Sequence, residues 1–500
     1  MREPVANPKP GNIIGIKLGT TKTMVARFNE AGEPEITNNG EGNPVTPSVI
    51  QVEDSGAVVI GSEAKKFLGT GTPGVFAEFK REMGTDKSWP AGGRNVTPVE
   101  LTELLLRKVV GDYAEQFGEP EVIVITWPAN FRNEQREATK EAARRAGLKN
   151  VHYLDEAVAA ALYYGIDTYL DGKYLVYDFG GGTFDVTLIE AHGNSIDVLY
   201  QDGVQQLGGK DLDNALLKII GEKFRAKTGD EFDTVDCNFD KLAIESNKNR
   251  LSAYPSVSIR LVSAKHGPMG IDVSRNEFEA GISRLVSQAE MACANVLRCG
   301  KDDPTQHIKK YDIKEIFMAG GTSHVPAMQS SVERLFGKKP KVKNPDQAIA
   351  MGAAIYAAHK ASKDALNVLQ AHAVADIDVS GVSPHFYGII YTNWLTGEST
   401  NVTVIRKGEI LPIKRNFKVN TDSRGHLPII SLTQSAIEEA HPEFVTRIWE
   451  GELHRRDPNR EVILTFGYDE NGTMRFSATE VATGNCIQVD LRLNPDEHQS

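Results

Sequence analysis

The stretch "IIGIKLGTTKTMVARF", residues 13 to 28, predicts how the first part of the chain folds. Two apolar runs flank a Gly-Thr-Thr turn, a pattern typical of two β-strands joined by a tight loop. If the first strand is covered on both faces, alternation places Ile14, Ile16 and Leu18 on one side and Ile13, Gly15 and Lys17 on the other. From this stretch alone, an edge strand that carries an exposed Lys17 is the simpler interpretation.

Length and composition limit the class of protein. The 500 residues fit two or three domains, and the formal charge of -11 gives no broad basic surface, so we expect no nucleic-acid partner. Residues 1–12 contain prolines and no apolar segment, which predicts a disordered tail and not a signal peptide. No apolar run has the length of a membrane span, and the cysteines lack metal-binding spacing. We therefore expect a cytoplasmic protein without a membrane partner.

Strands and helices alternate through residues 13–368, which indicates an α/β domain. The segments "EVIVITWP" (121–128) and "KYLVYDFGGG" (173–182) have continuous apolar runs typical of buried strands. Capping boxes at Thr97 and Ser274 predict helices, the first ending at Gly118 and the second running to about Gly300.

The sequence pattern changes near residue 383. Residues 383–494 hold β-branched segments and turns, and "REVILTFGYDENGTMRFSATE" (460–480) predicts a hairpin in a β-sandwich. Residues 369–382 show neither a helical stripe nor a strand of useful length, so we interpret them as a linker, and residues 495–500 as a tail.

Glycine-rich turns follow two of the predicted strands. In "DFGGGTFD" (178–185), the glycines let backbone amides approach phosphate oxygens, while Asp178 and Asp185 are suitable ligands for Mg²⁺. A plain hairpin turn capped by aspartates explains this motif equally well by itself. The protein-kinase interpretation of Asp-Phe-Gly fails, because the chain lacks the His-Arg-Asp loop.

A third turn, Gly320–Gly321 in "EIFMAGGTSHVPAM" (315–328), joins a strand to a helix and suits an adenosine or a phosphate. Three such turns in one chain favour a nucleotide site. The turns at residues 19 and 180 also echo each other, which predicts two similar halves around one ligand.

With further segments, the turns form a set that resembles the seventy-kilodalton heat-shock chaperones of the DnaK type. The resemblance covers nearly all of residues 13–360, and the β region resembles the family's peptide-binding sandwich more weakly. It implies an α/β fold with a two-lobed actin-like (ribonuclease H-like) ATPase domain, then a β-sandwich. The segments that carry it include "GIKLGTTKTMVA", "FAEFKREMG", "VIVITWPANFRNEQREATKEAARRAGL", "YLDEAVAAALYYG", "YDFGGGTFDVTLIE", "LGGKDLDNAL", "NPDQAIAMGAAIYAA" and "RIWEGEL".

The resemblance also implies roles for individual residues. Lys80 and Glu156 match groups that position the attacking water, and Asp178, Asp185 and Thr183 match the magnesium and γ-phosphate side of an ATP or ADP site. Pro128 and Arg136 match residues that relay the nucleotide state to the linker. Without the ordered pattern, Lys80, Glu245 and Lys248 would be interpreted as surface charges. The remaining implied nucleotide contacts are Lys17, Gly19, Thr20, Thr21, Gly180, Gly181, Gly182, Gly208, Gly209, Glu245, Lys248, Ser252, Gly320, Gly321, His324 and Asp346.

The most consequential departure from the family is Lys17, where the family has an aspartate that helps hold the magnesium-water shell. An ammonium group there repels a divalent ion, which puts Mg²⁺ in doubt. Lys17 could pair with phosphates in place of magnesium, its stem could carry the charge away and leave the metal to Asp178 and Asp185, or it could be an introduced substitution. We favour retained nucleotide binding with impaired hydrolysis.

Other departures concern the base, the linker and the end of the chain. Asn249 and His324 stand where the family has arginines near adenine. Val374, Ala375, Asp376, Ile377 and Asp378 stand where the family has a nearly all-leucine linker stretch, so linker docking is in doubt. The family continues with a helical lid, whereas this sequence stops at "RLNPDEHQS", which predicts fast peptide release.

The resemblance implies several partners. They are unfolded or extended peptide and, in the family, a J-domain co-chaperone and a nucleotide exchange factor. The alternatives are a non-hydrolysing nucleotide-binding protein that acts as a co-chaperone or docks a partner, and, more distantly, a sugar-kinase relative.

Overall fold

A computed structural model describes residues 12–489 except 166–167, 169, 194, 235, 238, 240–241, 299–304, 306, 376, 393–397, 421–429, 436, 452–459, 470–472 and 485. The predicted tails lie outside the described residues, apart from Asn12. Its side-chain amide donates to the carbonyls of Phe117 (2.9 Å) and Glu119 (3.1 Å), so Asn12 belongs to the folded domain and not to the tail.

The first lobe is built on a mixed sheet in the order β11-β10-β1-β2-β3, with β4 paired to β2. Strand β1 pairs in parallel with β10 and antiparallel with β2, so it is central and not an edge strand. The elements of this lobe are β1 (Ile13–Lys17), β2 (Lys22–Phe28), β3 (Pro34–Ile36), β4 (Thr46–Pro47), β5 (Val49–Val52), β6 (Val58–Ile60), α1 (Ser62–Lys65), β7 (Val75–Ala77), a 3-10 turn (Phe79–Glu82), β8 (Trp89–Ala91), β9 (Arg94–Val96), α2 (Pro98–Phe117), β10 (Val122–Trp127), α3 (Asn133–Arg145), β11 (Val151–Asp155) and α4 (Glu156–Gly165).

The two faces of β1 are covered as alternation predicts. Ile14, Ile16 and Leu18 are buried in the core beside α2 and α3, while Ile13 packs into the core on the opposite face. Gly15 lies so close to the backbone of Ala354 that a methyl group there would overlap it, which explains the glycine on this face.

The second lobe contains a five-stranded sheet in the order β17-β12-β13-β14-β18. Helices α4 and α10 share a buried core with strands of both large sheets, which joins the lobes below a cleft. The elements of this lobe are β12 (Asp171–Phe179), β13 (Phe184–His192), β14 (Ser195–Val204), α5 (Gly209–Thr228), α6 (Leu242–Ala253), β15 (Ser256–Ser263), β16 (Gly267–Ser274), α7 (Arg275–Gly281), α8 (Ser283–Arg298), β17 (Ile313–Ala319), a 3-10 turn (Gly321–His324), α9 (Pro326–Phe336) and β18 (Asp378–Ser380). Between α9 and β18 the chain forms α10 (Ala348–Lys360), a 3-10 turn (Lys363–Ala365) and α11 (Val368–Ala373). Helix α10 packs against β1, β2 and β10 of the first lobe, and α11 is bound at the end of β2.

Helix boundaries follow the capping signals with one exception. Thr97 caps α2 by accepting a hydrogen bond from the Glu100 amide, and Gly118 ends the helix. Ser274 caps α7 in the same way, but α7 ends at Gly281 and α8 starts at Ser283. The prediction of one long helix was therefore wrong, and the break follows Gly281, a residue type that weakens helices.

The predicted linker is more ordered than its sequence indicates. Helix α11 covers the start of the predicted linker, and β18 then adds in parallel to the outer edge of β14. Val374 and Ile377 are buried in the core beside α4, although neither is a leucine. The predicted linker is therefore docked on both lobes, α11 on the end of β2 and β18 on β14, although its sequence put docking in doubt. Residue 376 lies outside the described residues.

The β region consists of two four-stranded antiparallel sheets, β20-β19-β22-β23 and β21-β24-β25-β26, around a common core. Strands β24 and β25 form the predicted hairpin, whose turn at 470–472 lies outside the described residues. The strands are β19 (Phe386–Thr392), β20 (Ser399–Ile405), β21 (Ile413–Asn420), β22 (Ile430–Ser435), β23 (Thr446–Gly451), β24 (Glu461–Tyr468), β25 (Met474–Glu480) and β26 (Cys486–Val489), with a 3-10 turn at Pro442–Phe444.

The β-sandwich packs against α3 of the first lobe. The Asn133 amide donates to Gln434 (3.2 Å), and the Lys140 ammonium donates to the Thr473 hydroxyl (2.8 Å). His385 is buried at this junction beside the carbonyl of Phe131 (3.3 Å).

Arg136, one of the two predicted relay residues, is buried beneath the sandwich, and its guanidinium donates to Asp155 and to nearby carbonyls. Pro128 begins the loop that leads to α3. Both lie outside the cleft between the lobes. Over the described part of the chain, no helix is long and apolar enough to cross a membrane.

Candidate functional site

A cleft of about 600 Å³ lies between the two lobes. Most of the predicted site residues line it, although they come from elements that span more than 300 positions of sequence. Asp178, Asp185, Gly208 and Gly320 lie directly behind this lining. The predicted residues on the cleft wall are Lys17, Gly19, Thr20, Thr21, Lys80, Glu156, Gly180, Gly181, Gly182, Thr183, Gly209, Glu245, Lys248, Ser252, Gly321, His324 and Asp346.

The glycine-rich turns of the two lobes face each other across this cleft. A methyl group at Gly181 would overlap the side chain of Thr21, and one at Gly182 would lie 2.5 Å from the Thr20 hydroxyl oxygen. These glycines are therefore required by close approach of the two turns.

Hydrogen bonds fix the turn of the second lobe. The amides of Gly209 and Lys210 each donate at 3.0 Å to the carbonyls of Gly180 and Gly181, and the Thr322 hydroxyl donates to Gly180 at 2.8 Å. The start of α5 and the third turn thus hold the second in place. The result is a concave surface of backbone groups beside the amino end of a twenty-residue helix, which suits anions.

Lys80 and Glu156 form a buried pair on the floor of the cleft. The Lys80 ammonium lies 3.1 Å from the Glu156 carboxylate and also donates to the carbonyl of Leu18. Each residue is only 5% exposed, so neither is a solvated surface charge. Lys80 projects from the 3-10 turn of the first lobe, and Glu156 from the start of α4.

Glu245 joins the lobes at the mouth of the cleft. Its carboxylate pairs with Lys22 at 2.8 Å and with Lys65 at 3.1 Å, both from the first lobe. Burial would raise the pKa of Glu245, but the two lysines outweigh burial and lower the pKa to about 2. This residue is charged at neutral pH and already paired.

The second-lobe side of the cleft contains further paired charges. The Lys248 ammonium lies 2.8 Å from Asp213 and donates to the carbonyl of Gly209 at 2.9 Å. His324 lies 3.1 Å from Asp346, whose hydrogen bond raises the pKa of the histidine. Ser252 and Asn249 line the same wall, so this side offers polar groups to a ligand.

The sequence profile of the family described as Hsp70 protein matches residues 13–92 and 88–499. The chain belongs to the Hsp70 family. Membership implies an actin-like ATPase domain followed by a β-sandwich, and the mixed α/β lobes with separate sheets agree with it. It supports a chaperone-type function, and the family in general binds ATP or ADP with Mg²⁺, unfolded peptides and co-chaperones.

Two carboxylates behind the cleft wall, those of Asp178 and Asp185, are almost completely buried. Asp178 and Asp185 each have one buried oxygen without a hydrogen-bond partner. Burial and neighbouring Glu156 raise the pKa of Asp178 to about 7, although Lys17 and Lys80 oppose the shift. Burial and Asp178 also raise the pKa of Asp185. Burial and mutual repulsion therefore outweigh the two nearby lysines at these carboxylates.

Lys17 changes what this site can hold in the present Hsp70 chain. It lines the cleft at the end of β1, where its positive charge opposes the rise in the pKa of Asp178 and contributes to the lowered pKa of Asp346. The described residues also contain no group of three or more metal-ligating side chains. A divalent ion placed beside Asp178 and Asp185 would be repelled by the positive charge of Lys17.

Several cleft residues of this Hsp70 protein were missed by the sequence analysis. Lys22 directly follows the Thr20–Thr21 turn, so position in the motif was an available signal. Four others also line the cleft, and all except Lys65 lie in the quoted segments "FAEFKREMG" and "LGGKDLDNAL", which gave the same signal. These residues are Lys65, Glu78, Lys210 and Asp213.

Proposed function

We propose that this Hsp70 chain binds ATP or ADP in the cleft between its lobes and binds extended peptide or a partner through its β-sandwich. We also propose that Lys17 takes the place of the family's magnesium and slows hydrolysis. The observation that carries this proposal is the pair of glycine-rich turns that meet face to face beside an inward-facing lysine. Backbone amides and one fixed cation together suit a polyphosphate.

The binding roles divide along the cleft. Residues 19–21 and 180–182 would surround the phosphates, and the Lys17 ammonium would donate to a phosphate oxygen. Lys248, Ser252 and Gly321, on the opposite wall, would contact the nucleoside. Glu245 would need to exchange at least one of its lysine partners to reach a ribose hydroxyl.

Hydrolysis requires a water in line with the terminal phosphorus. Lys80 and Glu156 form a fixed polar pair beside the turns, and they would hold that water, with Thr183 nearby. The water oxygen bonds to phosphorus while the bond to the ADP oxygen breaks. A single ammonium neutralises less of the charge that spreads over the phosphoryl oxygens than a divalent ion does, so the step should be slow.

Single-turnover phosphate release tests this proposal. The expected result is slow release from the unmodified protein, unaffected by magnesium, and release from Lys17→Asp that is faster by about a hundredfold or more and depends on magnesium. Lys218→Asp applies the same charge change to an exposed lysine of α5 and should leave release unchanged. Rapid, magnesium-dependent release from the unmodified protein would contradict the role of Lys17.

A second candidate is a non-hydrolysing protein whose nucleotide only stabilises a docking surface. The packing of the sandwich and the linker onto the lobes favours it, because such packing needs no catalytic cycle. Peptide affinity in the ATP and ADP states separates the two functions. Different affinities support a chaperone cycle, and equal affinities support the docking protein.

A further inference from the structure

Arg81 connects the two lobes behind the glycine-rich turns. Its guanidinium donates from Nη2 to the carbonyl of Gly182 at 2.9 Å and to the Asp211 carboxylate at 2.8 Å. Arg81 belongs to the first lobe, whereas Gly182 and Asp211 belong to the second. The side chain is only 12% exposed, so solvent screens this connection weakly.

Asp211 extends the connection to the start of α5. The carboxylate oxygen that meets Arg81 also accepts the Gly208 amide at 2.7 Å. Gly208 is packed against the backbone of Gly181. Arg81 therefore contacts the second-lobe turn directly at Gly182 and, through Asp211, contacts the Gly208 segment that packs against this turn. A neighbouring pair repeats the connection, because Glu78 lies 3.3 Å from Lys210.

We propose that Arg81 is a positioning residue that holds the turn at 180–182 against the turn at 19–21, so that both can grip a polyphosphate at once. The inference rests on the proposed nucleotide site. Arg81 is absent from the cleft wall, and it therefore acts through the turn and not on the ligand.

Lys80, the residue before Arg81, makes contacts that are separate from those of Arg81. Lys80 and Arg81 are adjacent in one 3-10 turn, but Lys80 bonds to Leu18 and Glu156 within the floor while Arg81 bonds across the cleft. Loss of Arg81 should leave the Lys80 pair in place and release only the second-lobe turn. Both bonds come from one guanidinium nitrogen, so a lysine ammonium, which also carries several donors, could restore part of the connection.

The test compares ligands with different numbers of phosphates by calorimetry on the full chain. Arg81→Ala should weaken ATP and ADP binding by about tenfold or more while adenosine affinity stays within about twofold. Arg81→Lys should recover part of the loss, and Asp211→Asn should reproduce it. Arg225→Ala, which removes an exposed ion pair with Glu231, serves as the matched control.

The outcomes separate the inference from the site on which it rests. If the unmodified protein binds no ATP, the proposed function fails. If the unmodified protein binds ATP, two results would show that the positioning role is wrong. Arg81→Ala either binds ATP, ADP and adenosine as tightly as the unmodified protein does, or loses affinity for all three by the same factor. Should Arg81→Ala fail to fold, the milder Asp211→Asn exchange decides by the same ratio of ATP to adenosine affinity.

Discussion

Single atoms set the spacing of the cleft, as Gly208 illustrates. It precedes α5 and lies against the backbone of Gly181 and Gly182, where even a methyl group would overlap main-chain atoms. A backbone contact cannot be relieved by rotation of a side chain.

Gly208→Ala should therefore displace the second-lobe turn. We expect a loss of about 1–3 kcal/mol in the free energy of unfolding and at least tenfold weaker ATP binding, measured by denaturation and calorimetry. Gly111→Ala is the control, because that position in α2 has free space around it and should be stabilised by about 0.5–1 kcal/mol. Normal ATP affinity in Gly208→Ala would show that the turn tolerates displacement.

At this residue scale, the sequence predicted the members of the site better than their contacts. The turns and the Lys80–Glu156 pair could be predicted because they lie in ordered motifs. The ion pairs of Glu245 and Arg81 could not, because their partners are separated by more than 100 positions and meet only after the lobes pack.

At the scale of secondary-structure elements, α11 depends on one side chain. Gln370 is fully buried, and its amide donates at 3.1 Å to the carbonyls of both Phe28 and Asn29. These bonds attach the helix to the end of β2. Propensity alone would not keep so short a helix folded.

Gln370→Leu should detach α11 from the first lobe. The substitution removes one donor from the carbonyls of Phe28 and Asn29, the second of which keeps the Gly32 amide, so we expect a loss of about 1–3 kcal/mol and faster amide exchange in residues 368–373 than elsewhere. Val368→Ala changes an exposed residue of the same helix and should have little effect on exchange. Equal exchange in Gln370→Leu and the unmodified protein would contradict this role.

The elements that the sequence failed to predict share this dependence on partners. Strand β18 has three residues and α11 has six, too few for a periodic pattern. Each is held by a neighbouring strand, β18 by pairing with β14 and α11 by hydrogen bonds to the end of β2. Strands such as β10 and β12 could be predicted, since burial on both faces leaves a continuous apolar run.

At the scale of the whole molecule, His385 makes the junction between sandwich and lobe sensitive to pH. Burial, together with Arg136, Lys407 and Arg132, lowers the pKa of His385 to about 3. Once exposed, the imidazole returns to its ordinary value near 6.5. Between these values the undocked form binds more protons, so docking is complete above about pH 7 and weakens as the pH falls.

We expect the docking constant to fall by about tenfold per pH unit below about pH 6. Small-angle scattering of the full chain from pH 7.5 to pH 5 should reveal the resulting expansion. His385→Gln, whose side chain does not titrate, should show no such dependence, whereas His192→Gln alters an exposed histidine and should behave like the unmodified protein. Expansion of His385→Gln with the same pH profile would contradict the role of this histidine.

Strand β18 has a further consequence for the fate of the undocked chain. It covers the backbone of residues 195–197 on the outer edge of β14. When the linker leaves, those amides and carbonyls become an open sheet edge, to which a strand of another molecule can add. The segment that joins the domains thus also protects the second lobe from intermolecular strand pairing, and every departure of the sandwich exposes the protein to aggregation.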